Sequence, residues 1–263
     1  MIPEGQNFKL YGSPPYRVLL VHGGPAAIGY LAPLADYLSG SAGVIDAFQT
    51  KSTIRELLGE LHDIISNQAE IPVTLIGHSW GAWLSILYAS HYRTDVKKLI
   101  LVGSPPLDEN LTGNIMETRL KRLDAKTSSH LSKLMSDIAT LPGPEKDQVF
   151  LEIASIFRKT DAFELEEDKP PQTYFNLDCY NSIWNEAKQL RFSGDLLHQA
   201  EKIGCPTLAI HGTHDPHPAE GVDLSQIIKD FRFILLDKCG HEPWSEKLAK
   251  TRFIELLLNE IAD

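Results

Sequence analysis

Short apolar runs rich in branched residues alternate along this chain with stretches whose apolar positions recur every three or four residues. That alternation is the sign of a mostly parallel sheet with helices on both faces. Arg17-Val18-Leu19-Leu20-Val21 is the first clear buried strand, and Leu31, Leu34, Ala35 and Leu38 follow at helical spacing. Val44-Ile45-Asp46-Ala47-Phe48 reads as a strand. A helix then starts at Thr53, with Glu56 as capping-box partner and Ile54, Leu57, Leu58, Leu61, Ile64 and Ile65 as its apolar stripe. Val73-Thr74-Leu75-Ile76 is the next strand, a helix runs from Ser79 to about His91, and Leu99-Ile100-Leu101-Val102 is a further strand.

The pattern changes after Ser104. As far as Gly204 there is no buried strand, only helical stretches, the pair Pro170-Pro171, and scattered aromatics: Phe157, Phe163, Tyr174, Phe175, Tyr180 and Trp184. Strands resume at Thr207-Leu208-Ala209-Ile210 and at Phe231 to Leu236, with a helix expected between them on Leu224, Ile227 and Ile228. A last helix buries Phe253, Leu256, Leu257 and Ile261. Residues 1–104 and 204–263 are therefore expected to form one α/β core, and 105–203 a helical cap over the end of its sheet. No internal repeat is evident.

Composition narrows the partners. A chain of 263 residues with 43% hydrophobic content can bury one large core. Its net charge of −10 would repel nucleic-acid backbones and anionic membrane surfaces, so a small-molecule substrate is the expected partner. Cys179, Cys205 and Cys239 are an odd number at wide spacings, which fits no disulfide framework. With no basic start leading into an apolar run, no secretory signal is expected, and a reducing, cytoplasmic setting follows. No apolar run approaches the roughly 18 residues of a membrane span.

The chemistry sits at strand ends. Gly77-His78-Ser79-Trp80-Gly81 is Gly-x-Ser-x-Gly between a strand and a helix, the context in which that motif presents a nucleophile on a sharp turn. Side chains at 77 and 81 would crowd the backbone there. The helix N-terminus behind Ser79 also favours an anion. His22-Gly23-Gly24-Pro25 follows the first buried strand, where the Gly24 N–H can join the Trp80 N–H as an oxyanion hole, each donor being worth about 3 kcal/mol. His211 to His217 and Cys239-Gly240-His241-Glu242 follow the last two strands. A serine hydroxyl needs a histidine to take its proton and a carboxylate to fix the imidazole tautomer. His241 is the candidate base and Asp215 the candidate acid, in the chain order Ser79, Asp215, His241.

Plainer readings compete. Ser79 could cap a glycine-rich turn, Asp215-Pro216 could start a turn, and His241 could cap the last helix. Asp108 is the rival acid, one strand earlier. His211, His214, Asp215 and His217 could ligate zinc, but their spacing matches no common motif and would leave the serine turn without a purpose, so neither metal nor cofactor is expected. His78 is expected to pack behind the nucleophile. Glu164, Glu166, Glu167 and Asp168 are expected to form a solvated face, and the aromatics of 105–203 to be mostly core.

At these motifs the chain resembles the α/β-hydrolase superfamily along nearly its whole length, the region 105–203 matching least. His22-Gly23-Gly24-Pro25 with Ser79-Trp80-Gly81 looks like the proline iminopeptidase group of serine peptidases. That resemblance implies an α/β-hydrolase fold and an acyl-enzyme mechanism. The group's first motif usually continues with glycine, whereas Ala26 follows here. Its cap binds the substrate's amino group through acidic residues, one of them before a His-Tyr-Phe motif. Thr173-Tyr174-Phe175 is similar to that motif, but Pro171 stands at the acidic position. The expectation is a serine hydrolase acting on a small ester or amide, with an iminopeptidase-like aminopeptidase, a carbon–carbon bond hydrolase and a catalytically silent receptor as alternatives.

Overall fold

The computed structural model describes residues 5–167, 173–219 and 223–262. Its strands are β1 (Phe8–Tyr11), β2 (Tyr16–Val21), β3 (Gly43–Ala47), β4 (Val73–His78), β5 (Val96–Val102), β6 (Thr207–Gly212) and β7 (Phe231–Leu236). They form one sheet in the order β1-β3-β2-β4-β5-β6-β7, antiparallel only between β1 and β3. Register puts Val21 beside Gly77, His78 beside Val102, and Val102 beside Ile210, so the carboxyl ends of the inner strands share one edge. From β2 the chain crosses to β3 on one side and returns to β4 on the other. The crevice at such a switch point is where open α/β sheets bind ligands.

Helices cover both faces. On one, α1 (Ala32–Ser39) and α9 (Lys250–Ala262) bury Leu34, Leu38, Phe253 and Leu257 against Leu20, Ile76, Ile100 and Ile210. On the other lie α2 (Ile54–Gln68) and α3 (Trp80–His91), whose Leu57, Leu61, Trp83 and Leu87 pack on Leu19, Leu75 and Leu101. Thr53 caps this helix as expected, its Oγ1 accepting from the Glu56 N–H at 3.3 Å, while the Glu56 carboxylate accepts from the Thr53 hydroxyl at 2.7 Å rather than from its backbone N–H. Every residue of α3 from Trp80 to Ser90 is buried, which its apolar composition on all sides requires.

Between β5 and β6 the described residues form α4 (Ile115–Lys121), α5 (Ala125–Asp137), α6 (Gly143–Asp161), α7 (Leu177–Phe192) and α8 (Asp195–Ala200). The segment has two parts. Leu131, Leu134 and Ile153 give α5 and α6 a small apolar cluster of their own, whereas Ile183, Ala187, Leu196 and Ala200 of α7 and α8 belong to the large cluster around α3. Aromatics connect the parts: Phe150 stacks on Phe175 with ring centres 4.6 Å apart, Tyr180 stacks on Trp184, and Trp184 stacks on Trp83 at 5.6 Å.

Two local expectations need correction. The edge strand β1 was not anticipated, because it is four residues long with two exposed and shows no apolar run. The helix expected on Leu224, Ile227 and Ile228 does not form. Residues 223–230 make a single turn, with Ile227 and Ile228 N–H both reaching the Leu224 carbonyl, followed directly by β7. One turn buries Leu224 and Ile228 without the length that an α-helix needs to propagate. Pro170-Pro171 and Asp168 lie outside the described residues. Among the described residues no helix is long and apolar enough to cross a membrane.

Candidate active site

β4 ends at His78 and α3 begins at Trp80, leaving Ser79 at the turn between them with φ 52° and ψ −123°. A non-glycine residue held there carries strain on the order of 1–3 kcal/mol. Two backbone hydrogen bonds fix it, from Ser79 N–H to the Val102 carbonyl and from Ala82 N–H to the Ser79 carbonyl, both 2.9 Å. The flanking glycines are sterically required: a Cβ at 77 would stand 2.4 Å from the Gly81 oxygen, and one at 81 would stand 2.1 Å from the Val21 oxygen. Ser79 stays partly exposed while His78 and Trp80 are buried. As the first helical residue, Trp80 also has an N–H outside the helical hydrogen-bond ladder.

The turn after β2 lies against this elbow, since a Cβ on Gly23 would come within 2.8 Å of the Ser79 Cβ. Gly24 and Ala26 both have positive φ, 54° and 62°. Position 26 thus has a conformation that glycine adopts freely and alanine does not. A residue not singled out in the sequence fastens this turn. Buried Gln49, just past β3, donates through Nε2 to the His22 carbonyl at 2.7 Å and accepts from the Trp80 indole N–H at 2.8 Å. Its backbone N–H reaches His22 Nε2 at 3.3 Å, and burial pushes the His22 pKa down to about 4, keeping the ring neutral. Its place just past the carboxyl end of an inner strand was the available signal.

Asp215 and His241 meet. Asp215 Oδ2 accepts from His241 Nδ1 at 2.7 Å, with the carboxylate side chain wholly buried. Burial alone would raise the Asp215 pKa, but the imidazoles of His241 and His217 hold it well below the carboxylate range. An ionised carboxylate only accepts, so the His241 proton resides on Nδ1 and its Nε2 is a free base. Burial opposes charging His241, yet Asp215 prevails and lifts it above its ordinary value of 6.5. The pair adjoins the elbow: His78 Nε2 donates to the His241 carbonyl at 3.1 Å, and the two rings lie 4.8 Å apart. Asp108 stands elsewhere, capping residues 109–111 through the Asn110 N–H.

The histidine-rich loop divides. Asp215 Oδ1 accepts from both the backbone N–H and Nδ1 of His217, at 2.9 and 2.7 Å. His211 Nε2 donates to the His217 carbonyl at 2.9 Å and lies 3.6 Å from Asp215 Oδ2. His214 turns away, edge-on to Phe163. Ligand atoms of Asp215, His217 and His241 all fall within 4.8 Å of one another, but the carboxylate is engaged by the Nδ1–H groups of both rings.

Charged contacts, invisible in local sequence, tie the 105–203 segment to the His241 loop. Arg158 on α6 donates to Glu242 at 3.0 Å with both side chains buried, and Tyr30 bonds the other Glu242 oxygen. Arg119 on α4 grips Asp161 with two hydrogen bonds, and the Asp161 carbonyl accepts the His241 N–H at 3.0 Å. Buried Glu246 accepts three backbone N–H groups, from Gly240, Phe163 and Glu164, at 2.7 to 2.8 Å. Glu164 and Glu166 are exposed, paired with Lys247 and Lys250. A cleft of about 480 Å³ opens beside the Gly24 turn, lined by Ala26, Ile28, Gln49, Lys51, Tyr174 and Phe175 among others.

Comparison with known proteins agrees with this architecture. The proline iminopeptidase of Heyndrickxia coagulans is 24% identical over 252 residues, covering 88% of this chain and 85% of that protein. Human monoacylglycerol lipase ABHD6 is 29% identical over 186 residues, 68% of this chain but only 52% of the lipase. Among solved structures, VinJ superposes with a TM-score of 0.69 at 16% identity, over 99% of this chain and 97% of that one. The proline iminopeptidase of Mycobacterium smegmatis gives 0.67 at 18% identity, over 99% and 96%; these two likenesses establish the fold. The family model described as "Serine aminopeptidase, S33" matches residues 39–248, which with the elbow and sheet makes the chain a member of that family and a hydrolase of the α/β-hydrolase fold.

Proposed function

We propose that the chain is a serine hydrolase in which Ser79 is the nucleophile, His241 the general base and Asp215 the acid that orients it, with 105–203 as the cap. The observation that carries this reading is the 2.7 Å contact between Asp215 and His241, packed against an elbow that holds Ser79 at φ 52°. In the first step Ser79 Oγ attacks the substrate carbonyl and gives its proton to His241 Nε2. Asp215 keeps the imidazole in the Nδ1–H tautomer and stabilises the imidazolium. The Gly24 and Trp80 N–H groups receive the oxyanion. His241 then protonates the leaving group, and water activated by the same ring releases the acyl group.

Small carboxylic esters are the favoured substrates. An aminopeptidase must meet a partly buried ammonium with free carboxylates, or desolvation costs several kcal/mol. Most acids near the His241 loop are engaged: Asp161 by Arg119, Glu242 by Arg158 and Tyr30, Glu164 and Glu166 by surface lysines; on the cleft wall Glu56 bonds Thr53 Oγ1 and shares the lining with Lys51. The cleft beside Gly24 offers Ile28, Tyr174 and Phe175 as apolar wall. The iminopeptidase reading draws its support from the similarity to Heyndrickxia coagulans proline iminopeptidase.

A fluorophosphonate probe should label the protein at Ser79, and Ser79→Ala should remove labelling and lower turnover at least 1,000-fold, as loss of a catalytic serine does in other triads, to about the level left by the oxyanion hole. Labelling that survives in this variant overturns the nucleophile assignment. Among substrates, kcat/KM for p-nitrophenyl esters should exceed that for prolyl and alanyl arylamides. A prolyl arylamide that proved the better substrate would overturn the ester preference.

A further inference from the structure

Asp215 has more holding it than a base-orienting acid requires. Its Oδ1 accepts the His217 backbone N–H at 2.9 Å, which by itself closes the turn of Asp215-Pro216-His217. The His217 ring adds a second donor to the same oxygen at 2.7 Å, shorter than the backbone contact. This ring lies 4.7 Å from the His241 ring, stacked on it at 29°, and His211 fixes the residue from behind through the His217 carbonyl. One carboxylate is thus gripped through Oδ1 by one imidazole and presents Oδ2 to another.

The two rings are not equivalent. Burial lowers the proton affinity of His217, whereas for His241 the opposing pull of Asp215 prevails. His217 therefore donates as a neutral group. A wholly buried carboxylate needs donors on both oxygens to remain ionised and immobile. A neutral donor supplies one without putting a second cation beside the imidazolium that forms on His241.

We propose that His217 is a positioning residue for the reaction, clamping Asp215 by Oδ1 so that Oδ2 stays aimed at His241 Nδ1. The proposal rests on the reading of Asp215 and His241 as acid and base. His217 touches neither substrate nor nucleophile in this role; it acts through Asp215.

The test compares three variants with the wild-type enzyme on a p-nitrophenyl ester. His217→Leu keeps bulk and removes the ring donor; His217→Asn restores an N–H near the position of Nδ1; Asp215→Asn is the reference for loss of the acid. His217→Leu should lower kcat roughly 10- to 100-fold, the range for losing a group that orients a reacting residue, with KM within about twofold. His217→Asn should recover most of that loss, and Asp215→Asn should cost about 10⁴-fold. Equal losses in the Leu and Asn variants would mark the ring as packing and overturn the proposal. So would wild-type kcat in His217→Leu beside an inactive Asp215→Asn, which leaves the acid–base reading standing. Wild-type turnover in Asp215→Asn would overturn that reading and the clamp with it. NMR of the wild-type protein with nitrogen-15 imidazoles gives a measurement independent of variant folding. Two downfield Nδ1–H protons, one each on His217 and His241, are expected, and absence of the His217 signal overturns the proposal.

Discussion

The sheet with its two helical layers and the segment between β5 and β6 are built on different physics. In the sheet, position follows from backbone pairing and apolar packing: Leu19, Leu75, Leu99 and Ile100 are wholly buried, and the reactive loops leave from strand ends in register. In α4 to α6 the private apolar cluster has three buried members, and contact with the His241 loop is made by ions and hydrogen bonds to backbone instead: Arg158 with Glu242, the Asp161 carbonyl with the His241 N–H, Glu246 with the Phe163 and Glu164 N–H groups. Apolar packing is tolerant of volume-conserving change, while a buried ion pair depends on both members and their geometry. The His241 loop therefore has one rigid side, inherited from the sheet, and one side whose alignment is electrostatic.

The largest way to break this comparison is at the charged seam. Arg158→Met leaves Glu242 buried without its main cation and should cost about 3–5 kcal/mol in urea unfolding, as removing one partner of a buried pair generally does. Replacing Arg158 and Glu242 together by methionine should cost much less. If the single and double variants unfold alike, the seam is apolar packing and the contrast fails.

A second test uses the exception on the sheet side. Asp46 in β3 is fully buried with neither carboxylate oxygen hydrogen-bonded, and burial pushes its pKa up to about 7. The folded state thus favours the protonated acid, whose ordinary pKa is 3.8. Its contribution to stability is complete below pH 3.8 and is lost as pH rises through about 7. Asp46→Asn should raise the Tm more at pH 8 than at pH 5. An equal shift at both values would show that the carboxylate does not titrate between them. The smallest effect concerns Ala26, held at φ 62°. Ala26→Gly relieves about 1–2 kcal/mol of left-handed strain against about 0.5–1 kcal/mol of added chain entropy, so the urea midpoint should rise by the equivalent of about 1.5 kcal/mol or less. A fall in midpoint would mean that the turn is not strained.

Sequence reading reached the sheet side far more completely than the other. The four loops named at strand ends could be placed because each follows an apolar run whose burial is local and periodic, and Thr53 with Glu56 marked a helix start by chemistry within four residues. β1 escaped because an edge strand with two exposed residues has no run to detect, and residues 223–230 misled because one buried turn has the same apolar spacing as a helix. Contacts such as Arg158 with Glu242 join residues far apart in the chain, so no periodicity records them. His217 attracted notice only as a possible metal ligand; its hold on Asp215 needed the folded loop to be seen.

Glu246 sets a limit on how this enzyme can be rebuilt. Its carboxylate bonds Gly240 on one side and residues 163 and 164 on the other. The span from Gly240 to Glu246 is thus a fixed ruler with His241 on it, and inserting or deleting one residue there would shift His241 relative to Asp215 and loosen the hold on residues 163 and 164 together. The exposed stretch near residues 139–145 carries no such ruler. Grafts, linkers and loop libraries belong there, leaving the six steps after Gly240 at constant length.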